Sequence, residues 1–424
     1  MQNKIYFAGY IGLNFLFEDS ENSKLPHWTS LSLTKIRNVD KIHKIISNED
    51  GHCIVWKGNN QIEFYEKYEL TQFFGSESFG GEEIQDIYSG CQTFLILTRS
   101  GKVFSLAECN YSNEIPLEDP DESNYQTIRP VPFFNDKKNN RTVQSITMGG
   151  WSNYFICTDG TLYANGNNED GSLGDGTNVN KQIPVFIAKN VLKTYSGKYS
   201  NSCFFTNTNN ELYGCGYNSI GQLGIINQEN QNKPYKVQDW KASDILDIYC
   251  SGYNSYLITQ AGKAYSCGVV NREKGAKYIF TEIPELKTKR VVQMDGGNHI
   301  ILMLTSENEL YGCGFNNTSH PTKQYLDIES GRWNRIKKIN LPTSFQNNID
   351  PSSIKINISC GAYSIFLYSS CNENDCNNIE KIEMGQEKEK EKEKEKEKEK
   401  EKEKEKEKEN EKENENEKEK EKEK

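Results

Sequence analysis

Short apolar runs alternate with glycines and polar turns along most of the chain. Residues 154–157 and 256–258 are continuously apolar, which is typical of strands packed on both faces. Turn-forming pairs follow such runs at Asp159-Gly160, Asn209-Asn210 and Ala261-Gly262, and these pairs favour tight connections between antiparallel strands. No apolar run approaches the roughly 18–20 residues that a membrane-spanning helix needs. The pattern therefore predicts an all-β fold.

The strands recur as a unit of fixed order. Each unit has an apolar strand that ends at glycine, a short polar link, a second apolar strand, a turn, and a third strand that ends at glycine. The clearest copies begin at Ile146 and Ile248. One such unit cannot bury its own faces, so several must pack together. The period and the antiparallel hairpins favour a β-propeller over a helical solenoid. The glycines that end the first strands are 45 to 64 residues apart, at Gly90, Gly150, Gly197, Gly252, Gly297 and Gly361.

The number of units predicts how the ring closes. Complete three-strand units begin near residues 45, 87, 146, 191, 248 and 291. A seventh begins at Ile354 and contains only two strands, whereas residues 4–9 match the third strand of other units. We therefore predict a seven-bladed β-propeller over residues 1–370, closed by the N-terminal strand. Closure removes open sheet edges, and it accounts for the N-terminal apolar run better than a signal peptide does.

The C-terminal segment is of low complexity. Residues 387–424 are Glu and Lys apart from three Asn. Strict alternation places like charges at i and i+4, which opposes a stable helix, and no apolar side chain is present to be buried. We expect a linker over residues 371–386 and a disordered tail over residues 387–424. The remaining chain has 35 basic and 42 acidic residues, and this balance argues against a general nucleic-acid-binding surface.

The twelve cysteines suggest packing rather than chemistry. Cys215, Cys267 and Cys313 each precede a glycine at the same repeat position, as expected of small buried apolar residues. Cys371 and Cys376 form the one close pair, and no second pair completes a zinc site. We therefore expect no metal and no cofactor. Free cysteines also fit a reducing compartment, cytoplasmic or nuclear.

Two segments carry a specific signature. Residues 166–176 read Gly-Asn-Asn-Glu-Asp-Gly-Ser-Leu-Gly-Asp-Gly, and residues 216–224 read Gly-Tyr-Asn-Ser-Ile-Gly-Gln-Leu-Gly. They resemble the repeat of the regulator-of-chromosome-condensation family, and the resemblance extends over residues 4 to about 368. It implies a propeller that binds proteins. The best-known member is a guanine-nucleotide exchange factor for the small GTPase Ran, and other members are ciliary GTPase regulators, ubiquitin-ligase substrate modules and a plant ultraviolet-light receptor.

The resemblance also implies where a partner binds. In the exchange factor, the working face includes the loops just after the first-strand glycines, with acidic and His side chains among the contacts. A set rich in tyrosine suits protein recognition, although the same side chains would also fit the lining of a central channel. Only His299 matches the exchange factor in residue type. The second residues after the glycines are Gln92, Ser152, Tyr199, Asn254, His299 and Tyr363.

An acidic insertion lies between Leu106 and Arg141. Such a loop either steers a basic partner or is an ordinary solvated loop. Two functions remain open: a protein-binding propeller that regulates or promotes exchange on a Ran-like small GTPase, and a non-exchanging scaffold for cytoskeletal, ciliary or ubiquitin-pathway partners. Both functions predict a monomeric protein that has no contact with a membrane and no set of catalytic residues. Neither function calls for nucleic acid as a partner. The candidate steering residues are Glu118, Asp119, Asp121 and Glu122.

Overall fold

The chain separates into two compact units, Met1–Ser370 and Cys371–Lys424. The strands and helices that the computed structural model describes lie in the first unit, and the predicted linker and tail lie outside the described residues. No helix in the described part of the chain is long and apolar enough to cross a membrane. The structure describes residues 5–9, 29–30, 42–48, 52–57, 60–66, 69–91, 93–107, 127–136, 138, 141–268, 277–297, 300–314, 336–339, 355–360 and 364–370.

The described strands form seven four-stranded antiparallel sheets, which we name sheets one to seven. Sheet one contains β3 (Ile42–Ser47), β4 (Cys53–Lys57), β5 (Gln61–Glu66) and β6 (Glu69–Phe74). Sheet two contains β7 (Ile84–Ser89), β8 (Thr93–Thr98), β9 (Val103–Ala107) and β10 (Ile128–Pro130). Sheet three contains β11 (Val143–Met148), β12 (Ser152–Cys157), β13 (Leu162–Gly166) and β14 (Lys181–Ala188).

The remaining sheets follow the same plan. Sheets four to seven contain β15 (Val191–Tyr195), β16 (Ser202–Asn207), β17 (Glu211–Gly216) and β18 (Gln231–Lys241); β19 (Ile245–Cys250), β20 (Asn254–Thr259), β21 (Ala264–Gly268) and β22 (Lys277–Glu282); β23 (Val291–Gly296), β24 (Ile300–Thr305), β25 (Leu310–Gly314) and β26 (Lys337–Ile339); and β27 (Lys355–Cys360), β28 (Ser364–Ser370), β1 (Ile5–Gly9) and β2 (Thr29–Ser30). The helical segments are α1 (Pro132–Asn135) and 3-10 turns at Ser76–Phe79, Ala242–Asp244 and Pro284–Leu286.

Sheet seven is built from both ends of the first unit. Strand β1 pairs antiparallel with β28, with Ile5 opposite Tyr368 and Gly9 opposite Ser364. The first strands of consecutive sheets contact one another in chain order, and β27 in turn contacts β3. These first strands therefore form an inner ring, and the predicted all-β propeller fold is confirmed.

Each sheet has an outer strand that the sequence pattern missed. Three strands were predicted per repeat, and this was wrong because a fourth strand pairs with the third in every sheet. The outer strands β14 and β18 bury one residue each. They lack the continuous apolar run by which the inner strands are recognised, since one edge and much of one face meet solvent.

The core lies between neighbouring sheets. Every residue of β8 and of β12 is buried, as expected of strands covered on both faces. Aromatic pairs join adjacent sheets: the Phe64 and Phe94 ring centroids are 6.1 Å apart, and those of Phe204 and Phe280 are 6.0 Å apart. Both pairs lie within the range for favourable aromatic contact. Each sheet is therefore stabilised mainly by its two neighbours.

The predicted turns are confirmed at the three sequence pairs. Gly160, Asn210 and Gly262 have φ values of 76°, 63° and 82°. This left-handed region is open to glycine and is tolerated by asparagine. The turn pairs therefore connect the second and third strands of sheets three, four and five, as the sequence indicated.

Candidate functional site

The inner ring has two ends, which are formed by different loops and turns. At one end, each first strand turns through a link into the second strand. We call this end the link face; it includes residues 149–151, 196–201 and 251–253 and the signature loops 167–180 and 217–230. The first strands begin at the other end, beside the turns at residues 158–161, 208–210 and 260–263. We call that end the mouth face.

The link of sheet four crosses the centre of the ring. Strand registers place two more residues in this link than in those of sheets three and five. Lys198, whose side chain is 12% exposed, lies 3.6 Å from Asp295 in sheet six, and its Nζ donates to the carbonyl oxygen of Cys360 in sheet seven at 2.5 Å. The Lys198 carbonyl accepts a hydrogen bond from Cys91 Sγ in sheet two at 3.0 Å. One residue thus joins four sheets across the axis.

A channel of about 690 Å³, lined by both polar and apolar residues, runs along the inner ring to Lys198. Two ion pairs bridge neighbouring first strands: Lys44 Nζ lies 2.7 Å from Asp86 Oδ1, and Lys193 Nζ lies 3.5 Å from Asp247 Oδ1. With Lys198 and Asp295, the lining holds three Lys and three Asp. Among the described lining residues, the charges of the lysine and aspartate side chains therefore cancel.

The lysines near the mouth face also contact aromatic rings. Lys44 Nζ lies 5.2 Å from the centroid of the Tyr88 ring, and Lys193 Nζ lies 4.7 Å from that of Tyr195. Contacts of this kind favour an ammonium group. Burial among the inner strands raises the pKa of Asp247, although Lys193 opposes this shift. The channel therefore disfavours the charged form of Asp247.

We expect Asp247→Asn to raise the melting temperature of the protein at neutral pH. Because the pKa of Asp247 is higher in the folded chain than in the unfolded one, the folded state binds more protons, and stability falls as pH rises through the interval between the two pKa values. The amide removes that cost. In thermal melts from about pH 3.5 to pH 8, the variant should have a higher melting temperature than the original protein above this interval. Below the interval, the two melting temperatures should be equal.

The matched control is Asp86→Asn. This variant weakens the 2.7 Å ion pair with Lys44 and should lower the melting temperature at neutral pH. Equal destabilisation by both substitutions would contradict the prediction.

Three of the six predicted partner-binding residues lie in the described part of the chain. Ser152 is buried, and its hydroxyl donates to the Asn167 carbonyl at 2.8 Å. Tyr199 and Asn254 are half-buried on the link face. The described residues do not include Gln92, His299, Tyr363, Glu118, Asp119, Asp121 or Glu122.

The register corrects one repeat position. Ser152 and Asn254 each lie opposite the glycine that ends the third strand of their sheet, and the residue with that position in sheet four is Ser202. Counting two residues from Gly197 selects Tyr199 instead, because the link of sheet four is longer. Tyr199 therefore lies within the link, whereas Ser152 and Asn254 begin their second strands.

The signature motif builds a loop around a buried asparagine. Asn218 is fully buried, its Nδ2 donates to the Asn227 carbonyl at 2.6 Å, and its Oδ1 accepts from the Leu223 backbone N–H at 2.9 Å. Asn168 makes the same pair of contacts in sheet three. A buried polar group must be paired in this way. The signature that carries the resemblance is thus structural.

The signature loops also join neighbouring sheets. Asp170 accepts from Asn201 Nδ2 at 2.8 Å, which links the loop of sheet three to sheet four. Gln222 Nε2 lies 3.3 Å from the Gly252 carbonyl, which links the loop of sheet four to sheet five. Loops and links therefore form one continuous surface over these sheets.

Exposed apolar side chains lie on this same surface. Val179 is 61% exposed, Ile226 is 83% exposed and Tyr253 is 51% exposed. The sequence analysis missed all three, since an apolar residue in a loop has no pattern that separates an exposed position from a buried one. Exposed apolar side chains on one face are candidate contacts for a protein partner.

The described cysteines offer no activated thiol. All nine are free and buried, and the burial predicted for Cys215, Cys267 and Cys313 from their repeat position is confirmed. Burial raises the pKa of Cys157 to about 11 and that of Cys250 to about 12, so these thiols are protonated at neutral pH. Among the described residues, no group of His, Cys, Asp and Glu is arranged to hold a metal ion.

Comparisons with known proteins agree with this architecture. The family model of the regulator of chromosome condensation (RCC1) repeat matches residues 159–199 and 209–258. The human E3 ubiquitin-protein ligase HERC2 is 22% identical over 328 residues, which are 72% of this chain and 6% of HERC2. The Arabidopsis thaliana ultraviolet-B receptor UVR8 is 21% identical over 297 residues, 65% of this chain and 66% of the receptor. The chain thus spans a small part of HERC2 and two thirds of UVR8.

Solved structures show the same fold. Prp20p from Saccharomyces cerevisiae superposes with a TM-score of 0.70 at 16% identity, covering 91% of this chain and 95% of that one. Human WBSCR16 superposes with a TM-score of 0.66 at 15% identity, covering 87% and 99%. The chain thus contains RCC1-type repeats within residues 159–258, and its fold is that of a β-propeller.

Proposed function

We propose that this chain is a seven-bladed propeller that binds a protein partner on its link face, and that the partner is a small GTPase or a regulator of one. The exposed side chains of Val179, Ile226 and Tyr253 carry the proposal. Tyr199 and Asn254 lie on the same face, and tyrosine supplies a large contact area at low entropic cost. The loops beneath them are held by hydrogen bonds, so the surface needs little ordering on binding.

Nucleotide exchange requires shape rather than a reactive group. An exchange factor binds the nucleotide-free GTPase better than the nucleotide-bound one, and this difference in affinity displaces the nucleotide. Prp20p, which shares the fold, binds Gsp1p and histones. His299 and the acidic residues of the 106–141 insertion are the further residues that we assign to this contact, in a chain that acts as a monomer in the cytoplasm or nucleus.

The test is nucleotide release from a panel of small GTPases loaded with fluorescent GDP, combined with affinity purification on the full-length chain. We expect at least one GTPase to be retained, and Tyr253→Ser to weaken its binding by about tenfold, as loss of a central aromatic contact would. The matched control is Leu192→Ser, because Leu192 is 56% exposed on the mouth face. If no GTPase is retained and none releases GDP faster, the GTPase assignment is wrong.

A non-exchanging scaffold is the second candidate. Of the six second residues after the first-strand glycines, none is acidic, which distinguishes this face from that of the exchange factor. A scaffold predicts link-face binding of non-GTPase proteins with no effect on GDP release. Proximity labelling that returned only GTPases would exclude this candidate.

A further inference from the structure

We propose that the channel binds a small, uncharged, polyhydroxylated molecule, which enters from the mouth face. This inference does not depend on the partner of the link face. It rests on the size of the channel, the cancellation of its charges, and the hydrogen-bonding groups of its wall.

The size of the channel suits a small molecule. Its volume of about 690 Å³ falls within the roughly 300–1,000 Å³ typical of ligand sites. Lys198 lies at the link-face end, where it contacts Asp295 and Cys360. At the mouth face, Lys193 and Asp247 remain 51% and 42% exposed. A ligand therefore has an approach from the mouth face and meets Lys198 at the far end.

The charges disfavour an ion. Each lysine of the lining lies within 4 Å of an aspartate on a neighbouring or opposing sheet. A cation or an anion would have to compete with one of these internal partners, and it would enter without a net attractive field. An uncharged molecule leaves all three pairs intact.

The wall offers both donors and acceptors. Gln293 accepts from the Ile358 backbone N–H at 3.4 Å through Oε1, which leaves its amide N–H groups for a ligand. Ser359 is a lining residue of the channel, and its hydroxyl is buried without a hydrogen-bond partner among the described residues. Asp86 Oδ1 accepts from Lys44 Nζ and from the Ile87 backbone N–H, and the carboxylate keeps further lone pairs beyond these two. A hydroxyl group both donates and accepts, so a polyol satisfies such a wall without a charge.

The test is isothermal titration of the full-length protein with myo-inositol and with D-glucose. Choline chloride and sodium phosphate at matched ionic strength are the charged probes. We expect saturable one-to-one binding of at least one neutral probe, and weaker or no binding of both charged probes. Gln293→Met, which keeps the size of the side chain and removes its amide, should weaken the neutral probe by about tenfold.

The matched control is Gln182→Met. Gln182 is exposed on β14, the outer strand of sheet three, and its substitution should leave the affinity unchanged. Melting temperatures of both variants report whether the fold is kept. The proposal is overturned if neither neutral probe binds saturably, if choline or phosphate binds more tightly, or if both variants change the affinity equally.

Discussion

Replacing Gly197 by alanine should lower the free energy of unfolding by about 3 kcal/mol or more. A Cβ at this position would lie 1.7 Å from the carbonyl oxygen of Cys250, far inside any van der Waals contact. That oxygen belongs to the backbone of β19, and the link of sheet four is held across the axis by Lys198. Neither backbone has room to retreat without separating two sheets. Urea denaturation followed by circular dichroism measures the change.

The control uses the glycine in the link of the next sheet, which lies one register position later than Gly197. A Cβ on Gly252 would meet nothing closer than the Tyr199 carbonyl oxygen at 3.5 Å, which is ordinary contact. Gly252→Ala should therefore change the free energy of unfolding by less than about 1 kcal/mol. If the two alanine variants are equally stable, the close approach of the sheet-four link to β19 is not present in solution.

Lys198→Ala should lower the free energy of unfolding by about 3 kcal/mol. The substitution leaves Asp295, whose side chain is 20% exposed, without its cation, and it leaves the Cys360 carbonyl without its side-chain donor. Removing one partner of a buried pair costs more than the pair itself contributes, because the remaining charge stays desolvated. Chemical denaturation at several salt concentrations measures the loss, which should be only weakly screened.

Two further variants isolate the cause. Lys193→Ala removes the cation of the channel pair whose side chains are 51% and 42% exposed, and should cost no more than about 1 kcal/mol. In Lys198→Ala, the Asp295 carboxylate remains charged without a cation beside it. The double variant Lys198→Met with Asp295→Asn also removes that negative charge, and should recover part of the lost free energy of unfolding. If Lys198→Ala and Lys193→Ala are equivalent, Lys198 does not join the sheets across the axis.

The link of sheet four shows how a small insertion changes the centre of a repeat protein. The repeat period alone assigns Tyr199 to the position of Ser152 and Asn254, whereas the register assigns Ser202. The two additional residues bring Lys198 to the axis, where it contacts residues more than 90 positions away in sheets two, six and seven. Sequence spacing does not report contacts at this separation, because they depend on how the ring closes.

The signature motif shows the opposite case. Asn218 and Leu223 are recognisable within a nine-residue segment, and the hydrogen bonds of the Asn218 side chain reach only residues nearby in sequence. The resemblance that these residues carry was therefore detectable from sequence, and it correctly indicated the repeat and the propeller. It did not indicate a binding surface, because the motif serves to hold its own loop.

The sequence by itself determined the all-β class, the repeat with its turns at Gly160, Asn210 and Gly262, and the burial of the described cysteines. All of these follow from periodicity and from the conformational preferences of single residues, which act over a few positions. Only the tertiary structure decided the outer strands, the balanced charges of the channel, and the exposed apolar side chains of the link face. Those features arise where segments distant in sequence meet. Their chemistry depends on which residues become neighbours in the folded chain, and a local sequence pattern does not predict these neighbours.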